Sequence, residues 1–310
     1  MSFPGNTNNQ GGCMFDFYQI RKNRVHRFRP KITIESEKGP FVLKTVTDPE
    51  ELIQALRLRY QVFHIEMIGK TKPRGIDVDE YDFICDHLII KDKKTNQVVG
   101  TYRLNCSDFS QSFYSANEFD LRRILDVPGT KLELGRACIH KDYRKGIVIS
   151  LLWRGIAEYM NKTNSTLLFG CASIKTHSPR QAALLYQHFA LEQRYKDELL
   201  CPPTVKFTMP ALDVWIQSMN RALSAEEQTE VQDLVPPLCR AYLKAGAALG
   251  GEPAYDADFR CIDFLTILHR DHLNKALWKK YSNDSKPNLT SESAPGTSNW
   301  ESSNFHPSSF

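Results

Sequence analysis

Closely spaced cysteines are missing from this chain of 310 residues. Its eight cysteines (Cys13, Cys85, Cys106, Cys138, Cys171, Cys201, Cys239 and Cys261) stand at least 21 residues apart, with no C-x-x-C pair. That spacing excludes a zinc knuckle and a small disulfide scaffold, and it reads as buried free thiols of a reducing compartment. Long apolar runs are missing too. The longest, around Ile147–Trp153, falls far short of the roughly 20 residues that span a bilayer. The first residues are polar and rich in glycine and asparagine, so no signal peptide is expected. A cytoplasmic protein follows, soluble or peripheral on the inner face of a membrane. There are no internal repeats and no large charge excess: the net charge is +4, with 41% apolar and 25% charged residues. That composition suits one large globular domain, or one domain with an appendage.

The small charge excess is unevenly placed. Residues 1–40 hold seven Lys/Arg against three acids, and the remainder is balanced. Within 16–31, Phe17, Tyr18, Ile20, Val25 and Phe28 alternate with cations. Such a segment can lie on anionic lipid headgroups, each cation adding about 1 kcal/mol, or stand as a solvated extension. Nothing else in the chain supports nucleic acid as a partner. We therefore expect a basic extension over 1–39, a folded domain over 40–281, and a disordered Ser/Asn/Pro-rich tail over 282–310.

Inside the domain, Phe41–Val46 reads as a strand, and Asp48-Pro49-Glu50 opens a helix with cap and proline in place. Strands are expected at 86–91, 97–104, 131–139, 167–174 and 262–268. Helices are expected at 119–125, after 146, at 179–189, from the Ser224–Glu227 capping box, and from Pro236-Pro237 to Gly250-Gly251. Strands and helices alternate irregularly, so the class is α/β with a mixed sheet and a C-terminal helical insertion.

The most telling stretch is LELGRACIH at 132–140, followed by Arg144-Lys145-Gly146 and the apolar LLWRGIAEYM at 151–160. It puts a carboxylate, Glu133, and a guanidinium, Arg136, on one strand, then a basic loop and a helix start. The unpaired amides and dipole of that helix start suit a phosphate-bearing acyl donor, and the acid can manage a proton. The same pair serves equally as an ion pair joining two strands. A second cluster sits at 77–86, where Asp77, Asp79, Glu80, Asp82 and Asp86 need cations or the arginines Arg59, Arg103 and Arg136 to answer them.

These residues come in a familiar order. RYQVF at 59–63, GIDVDEYD at 75–82, CDHLII at 85–90, VVGTYRL at 98–104 and TLLFGCASI at 166–174 flank the Glu133 strand. PPLCRAYLKAGAALGGEP at 236–253 and CIDFLTIL at 261–268 follow. From about Pro40 to about His272 the chain resembles the GNAT-type N-acyltransferases. It is most similar to the hemolysin-like, acyl-carrier-protein-dependent branch that makes lyso-ornithine or glycine lipids. The resemblance implies a GNAT-like sheet whose central strands splay around an acyl thioester. Glu133 would then orient the acceptor amine or relay its proton, and Arg136 would position the acid loop or the donor. Acyl-homoserine-lactone synthases, a related group, share the arrangement matched here by Arg59, Asp77, Asp79, Asp82, Arg103, Glu133 and Arg136; Asp77 stands where they have a glutamate. An amino acid brings an ammonium and a carboxylate, which acids and arginines together suit.

The donor loop departs from coenzyme-A enzymes, which wrap a diphosphate with several glycines. Here 144–149 reads RKGIVI, with Gly146 alone. That favours the single phosphodiester of acyl carrier protein, with Lys141, Arg144, Lys145, Gly146 and Arg154 meeting the donor. No permanently bound cofactor and no metal are expected. His87 and Asp92 fit an H-x4-D pattern, yet five residues apart on a strand they face opposite sides. HRDH at 269–272 reads as a strand-to-helix cap. The expected activity moves a long, 3-hydroxylated acyl group from acyl carrier protein to the α-amine of an amino acid such as ornithine. A coenzyme-A-dependent N-acetyltransferase or a silent lipid- or carrier-binding protein are the alternatives.

Overall fold

The computed structural model describes residues 24–144 and 146–282. Lys145, the 1–23 segment with Cys13, Phe17, Tyr18 and Ile20, and the tail 283–310 lie outside the described residues. The chain enters the sheet through β1 (Glu35–Lys38), which turns at Gly39 (φ 57°) into β2 (Phe41–Thr45). The Asp48 carboxylate accepts the Glu51 amide at 2.9 Å and starts α1 (Pro49–Arg59) behind Pro49. A wider π-type helix, Tyr60–Ile68, continues it to Gly69. A single turn, Glu80–Phe83, leads into the hairpin β3 (Asp86–Asp92) and β4 (Gln97–Cys106). After a turn at Tyr114–Asn117 come α2 (Arg122–Asp126), β5 (Thr130–Ile139), α3 (Ile147–Thr163) and β6 (Ser165–Ile174). The helices α4 (Pro179–Leu191), α5 (Leu212–Ser218), α6 (Ala225–Leu234) and α7 (Pro237–Ala245) form the insertion. Short strands β7 (Ala248–Leu249) and β8 (Ala254–Asp256), the long β9 (Cys261–His269) and α8 (Lys275–Ser282) complete the described chain.

The strand order is β1-β2-β3-β4-β5-β6-β9-β7, with β8 also on β9. Every pairing is antiparallel except β5 with β6. Alternation along the strands decides which helix covers which face. Leu88 and Ile90 join Val148, Leu152 and Ile156 of α3 in one core, whereas Ile89 joins Leu52 and Leu56 of α1 in another. Phe113, Phe119, Phe169 and Leu265 fill a third. This is the mixed α/β sheet with a helical insertion that the sequence leads one to expect. The seven described cysteines are free thiols, and no helix among the described residues is long and apolar enough to cross a membrane.

Three boundaries differ from the sequence reading. The helix from Pro237 stops at Ala245, not Gly250, because Gly246 turns left-handed (φ 104°) where a Cβ would stand 2.5 Å from the His272 carbonyl. The helix expected from Phe119 begins at Arg122, since Phe119 is bridged to Pro203. Finally, β1 was not anticipated: Val25, Phe28 and Ile34, all within the basic segment, are buried. Lys31 and Ile32 donate their amides to Asp86, at 2.9 and 3.0 Å. Val25 and Phe28 pack into the core with Leu52 and Leu56.

Candidate active site

The parallel pair β5–β6 holds only from Thr130 to Glu133, against Ser165 to Phe169. Beyond that point β5 stays with β4 and β6 stays with β9, so the two strands part. Gly170 marks the fork: a Cβ there would lie 2.1 Å from the Leu134 carbonyl oxygen. A cavity of about 320 Å³ opens beside the fork, lined by Leu134–Ala137 on one strand and Cys171–Ser173 on the other. From Leu134 onward, the β6-facing edge of β5 has no strand beside it. On the opposite edge the β4 register slips between Thr101 and Arg103, a bulge that puts Arg136 in the left-handed region (φ 51°). A bulged residue is re-aimed out of the strand's alternation.

Glu133, 5% exposed, lines the cavity. Its oxygens accept the backbone amides of Tyr114 (3.0 Å) and Ser115 (2.7 Å), which fixes the turn at 114–117. Burial pushes its carboxyl upward, and the Ser115 amide pulls part of the way back.

The acid loop and the arginines answer one another. Arg59 donates from Nε and Nη2 to Asp77 Oδ2 (2.9 and 2.7 Å) and from Nη1 to Asp82 Oδ1 (2.6 Å). Arg103 Nη1 donates to Asp79 (2.6 Å) and Asp82 (3.0 Å). Arg136 Nη2 donates to Asp79 Oδ2 (3.0 Å), and its Nε lies 3.8 Å from Asp77. His64 Nε2 lies 3.1 Å from Asp77. Burial alone would raise these carboxyls. Arg59 and Arg136 nonetheless hold Asp77 well below the usual carboxylate range, Arg59 and Arg103 do so for Asp82, and Arg103 lowers Asp79. Three guanidiniums thus meet three carboxylates. Of the seven matched residues, Arg103, Glu133 and Arg136 line the cavity; Arg59, Asp77, Asp79 and Asp82 stand behind them.

The described donor-loop residues, Lys141, Arg144, Gly146 and Arg154, do not line the cavity. Lys141 is exposed in the Lys141–Tyr143 turn. Arg144 donates to the Ile139 carbonyl (3.0 Å) and pairs with Glu66 (2.5 Å). Gly146 (φ 82°) caps α3 with no side-chain partner, which leaves the first amides of the helix open. Arg154 lies two turns further along α3, and Lys145 is outside the described residues.

Three acids that sequence reasoning missed share the cavity wall. Glu118, Asp256 and Asp263 bring their carboxylate oxygens within 4.8 Å of one another. Asp263 Oδ1 accepts the Ser173 hydroxyl (2.5 Å), and Asp256 Oδ1 accepts the Phe259 amide (3.0 Å). Burial, reinforced by Asp263, pushes Glu118 up to about 8, and burial pushes Asp263 up to about 6. The available signal was Asp263 itself, an acid inside the otherwise apolar CIDFLTIL strand. His87 is different: Nε2 lies 2.9 Å from the Asp82 carbonyl and burial lowers it to about 4, so the imidazole is neutral and structural. Asp92 accepts the Tyr143 hydroxyl instead (2.7 Å).

Comparison with known proteins places the chain among acyltransferases. An acetyltransferase (GNAT) domain matches residues 58–154, the stretch that carries Arg59, the acid loop, Glu133 and the start of α3. The L-ornithine N(alpha)-acyltransferase of Rhizobium meliloti is 33% identical over 234 residues, 70% of this chain and 76% of the relative. That of Agrobacterium fabrum is 30% identical over 246 residues, 74% of this chain and 81% of the relative. Among solved structures, a CoA-dependent acyl-homoserine lactone synthase with SAM and isopentyl-CoA aligns over 80% of this chain and 88% of that one. Its TM-score is 0.44 at 14% identity, too distant to carry an argument. With a GNAT domain on the strands that frame the cavity and relatives of this similarity along most of its length, the chain is an acyltransferase of the L-ornithine N(alpha)-acyltransferase family.

Proposed function

We propose that the protein transfers a fatty acyl group from acyl carrier protein to the α-amine of ornithine. The parting of β5 and β6 carries this reading, because it opens a cavity with Glu133 and Arg136 in its wall in a chain of this family. The thioester lies between the strands, where the free edge of β5 offers amides to the carbonyl oxygen as charge develops on it. The amine attacks the carbonyl carbon. Glu133, whose oxygens keep lone pairs beyond the two amides they accept, takes the amine's proton directly or through water. The C–N bond forms, the C–S bond breaks, and Glu133 passes the proton it took to the leaving thiolate, which departs as the thiol. Arg136 receives the acceptor's carboxylate: it faces the cavity, and its Nε has no hydrogen-bond partner. Arg59, Asp77, Asp79 and Asp82 are positioning residues that hold Arg103 and Arg136 in place. The single glycine at 146, the open amides of α3 and the exposed Lys141 support a carrier-protein phosphodiester as the donor's anion.

The test uses purified full-length protein with L-ornithine and either palmitoyl- or 3-hydroxypalmitoyl-carrier protein or the matching coenzyme-A thioesters, with product read by mass spectrometry. N-acyl-ornithine and free carrier thiol, formed at least about tenfold faster from carrier protein, are expected. Equal rates from coenzyme A would remove the carrier-protein part. No acylated ornithine from either donor would overturn the reading altogether.

A further inference from the structure

The two acid clusters of this protein are treated in opposite ways by the fold. Asp77, Asp79 and Asp82 each meet at least one arginine. Glu118, Asp256 and Asp263 form no ion pair with Lys, Arg or His among the described residues, although Glu118 and Asp263 are 1% and 3% exposed. A buried carboxylate left without a counter-charge is costly, and such groups persist where a ligand answers them. Two further observations point to a ligand. Glu118 Oε2 has no hydrogen-bond partner and lines the same cavity as Glu133 and Arg136. So does the side-chain carbonyl of Asn105, which is 2% exposed and not itself an acid.

We propose that Glu118, Asp256 and Asp263 form a subsite for the side-chain ammonium of the acceptor, so that the cavity selects a diamino acid over amino acids with an apolar or absent side-chain head. This rests on the reading of the protein as an ornithine acylating enzyme. An alkylammonium has three N–H donors, and three converging carboxylates supply three acceptors. The subsite is built from separate parts of the fold. Glu118 follows the turn that Glu133 holds through Tyr114 and Ser115, so the acid beside the reacting amine also places one wall of the pocket. Asp263 and Asp256 come from β9 and β8, joined to β6 by the Ser173–Asp263 bond. Arg136 reaches the Tyr114 ring at 5.0 Å and lines the same cavity as Asp263. A carboxylate-binding group and ammonium-binding groups therefore line one cavity, as the two ends of a diamino acid require.

The deciding measurement compares kcat/KM for L-ornithine and L-norvaline, which has the same carbon skeleton without the terminal amine, in wild type, Asp263→Asn and Glu118→Gln. Because the comparison is a ratio within each protein, a partly folded variant does not obscure it. Wild type is expected to prefer ornithine by at least about 100-fold, and each variant to lose at least about tenfold of that preference. Preference unchanged in both variants, or both substrates slowed equally, overturns the subsite while leaving ornithine acylation intact. Activity abolished by EDTA and restored by Mn²⁺ would assign the acids to a divalent cation and also overturn it. Acylation of neither amino acid by wild type would bring down the parent reading and this one with it.

Discussion

Glu133 accepts two backbone amides and faces the cavity, and its replacements separate those roles. Glu133→Gln keeps one carbonyl acceptor but brings an NH₂ toward an amide donor and removes the base. We expect kcat to fall at least about 100-fold with little loss of folded protein, measured by turnover and circular dichroism. Glu133→Ala strands both amides, at about 1–3 kcal/mol each, so its melting temperature should fall as well. Arg59 presents the opposite case. At 1% exposure it does not line the cavity beside Glu133, yet it answers both Asp77 and Asp82. Arg59→Met leaves two buried carboxylates short of a partner. A loss of about 3–5 kcal/mol in urea unfolding is expected, larger than for any single exposed pair such as Arg122–Asp120. This division could not be read from spacing, since the seven matched residues look alike in one dimension. Only their place in the fold distinguishes Arg103, Glu133 and Arg136, which line the cavity, from the four that stand behind them.

At the scale of elements, two glycines show what the sheet tolerates. A Cβ at Gly170 would meet the Leu134 carbonyl oxygen at 2.1 Å, and backbone oxygen at a strand junction has nowhere to go. Gly170→Ala should force β5 and β6 apart at their last paired residues, lowering the melting temperature by about 5 °C or more and activity with it. On α3, the nearest atoms to a Cβ at Gly155 would be the side-chain ends of Leu88 and Leu43, at 2.6–2.9 Å. Those leucines can change rotamer, so Gly155→Ala should cost no more than about 2 kcal/mol, offset in part by alanine's helix propensity. Chemical denaturation of the pair checks the ranking. The cap of α1, the capping box of α6 and the strand periods were legible, because they depend on residues a few positions apart. The end of α7 was not, because what stops it is the approach of the His272 carbonyl, distant in sequence.

Across the whole molecule, the two acid clusters oppose each other as pH changes. Asp77, Asp79 and Asp82 have folded values below the ordinary 3.8. Their contribution is full above about pH 4 and is lost as pH falls through the lowered values. Glu118 and Asp263 are raised, from 4.5 to about 8 and from 3.8 to about 6. Their contribution is full below about pH 4 and is lost as pH rises through about 6 and then about 8. On these groups, ligand-free protein should therefore be most stable near pH 4, with a declining limb from there to about pH 8. Glu118→Gln should flatten that limb and raise the melting temperature at pH 8 by about 5 °C, while leaving the acid limb unchanged; calorimetry from pH 3 to 9 reads both.

The sequence alone determined the α/β class, most element positions, the Glu133–Arg136 strand and its acyltransferase resemblance. Each of these is written in local period, capping or a contiguous motif. Only the tertiary structure decided which charges cancel and which remain unanswered. It gathered Glu118, Asp256 and Asp263 from a turn and two late strands, and it assigned the arginines to the other cluster. The reason is physical: the energy of a charge depends on what stands within a few ångströms in three dimensions and on how much water is left there. Distance along the chain records neither.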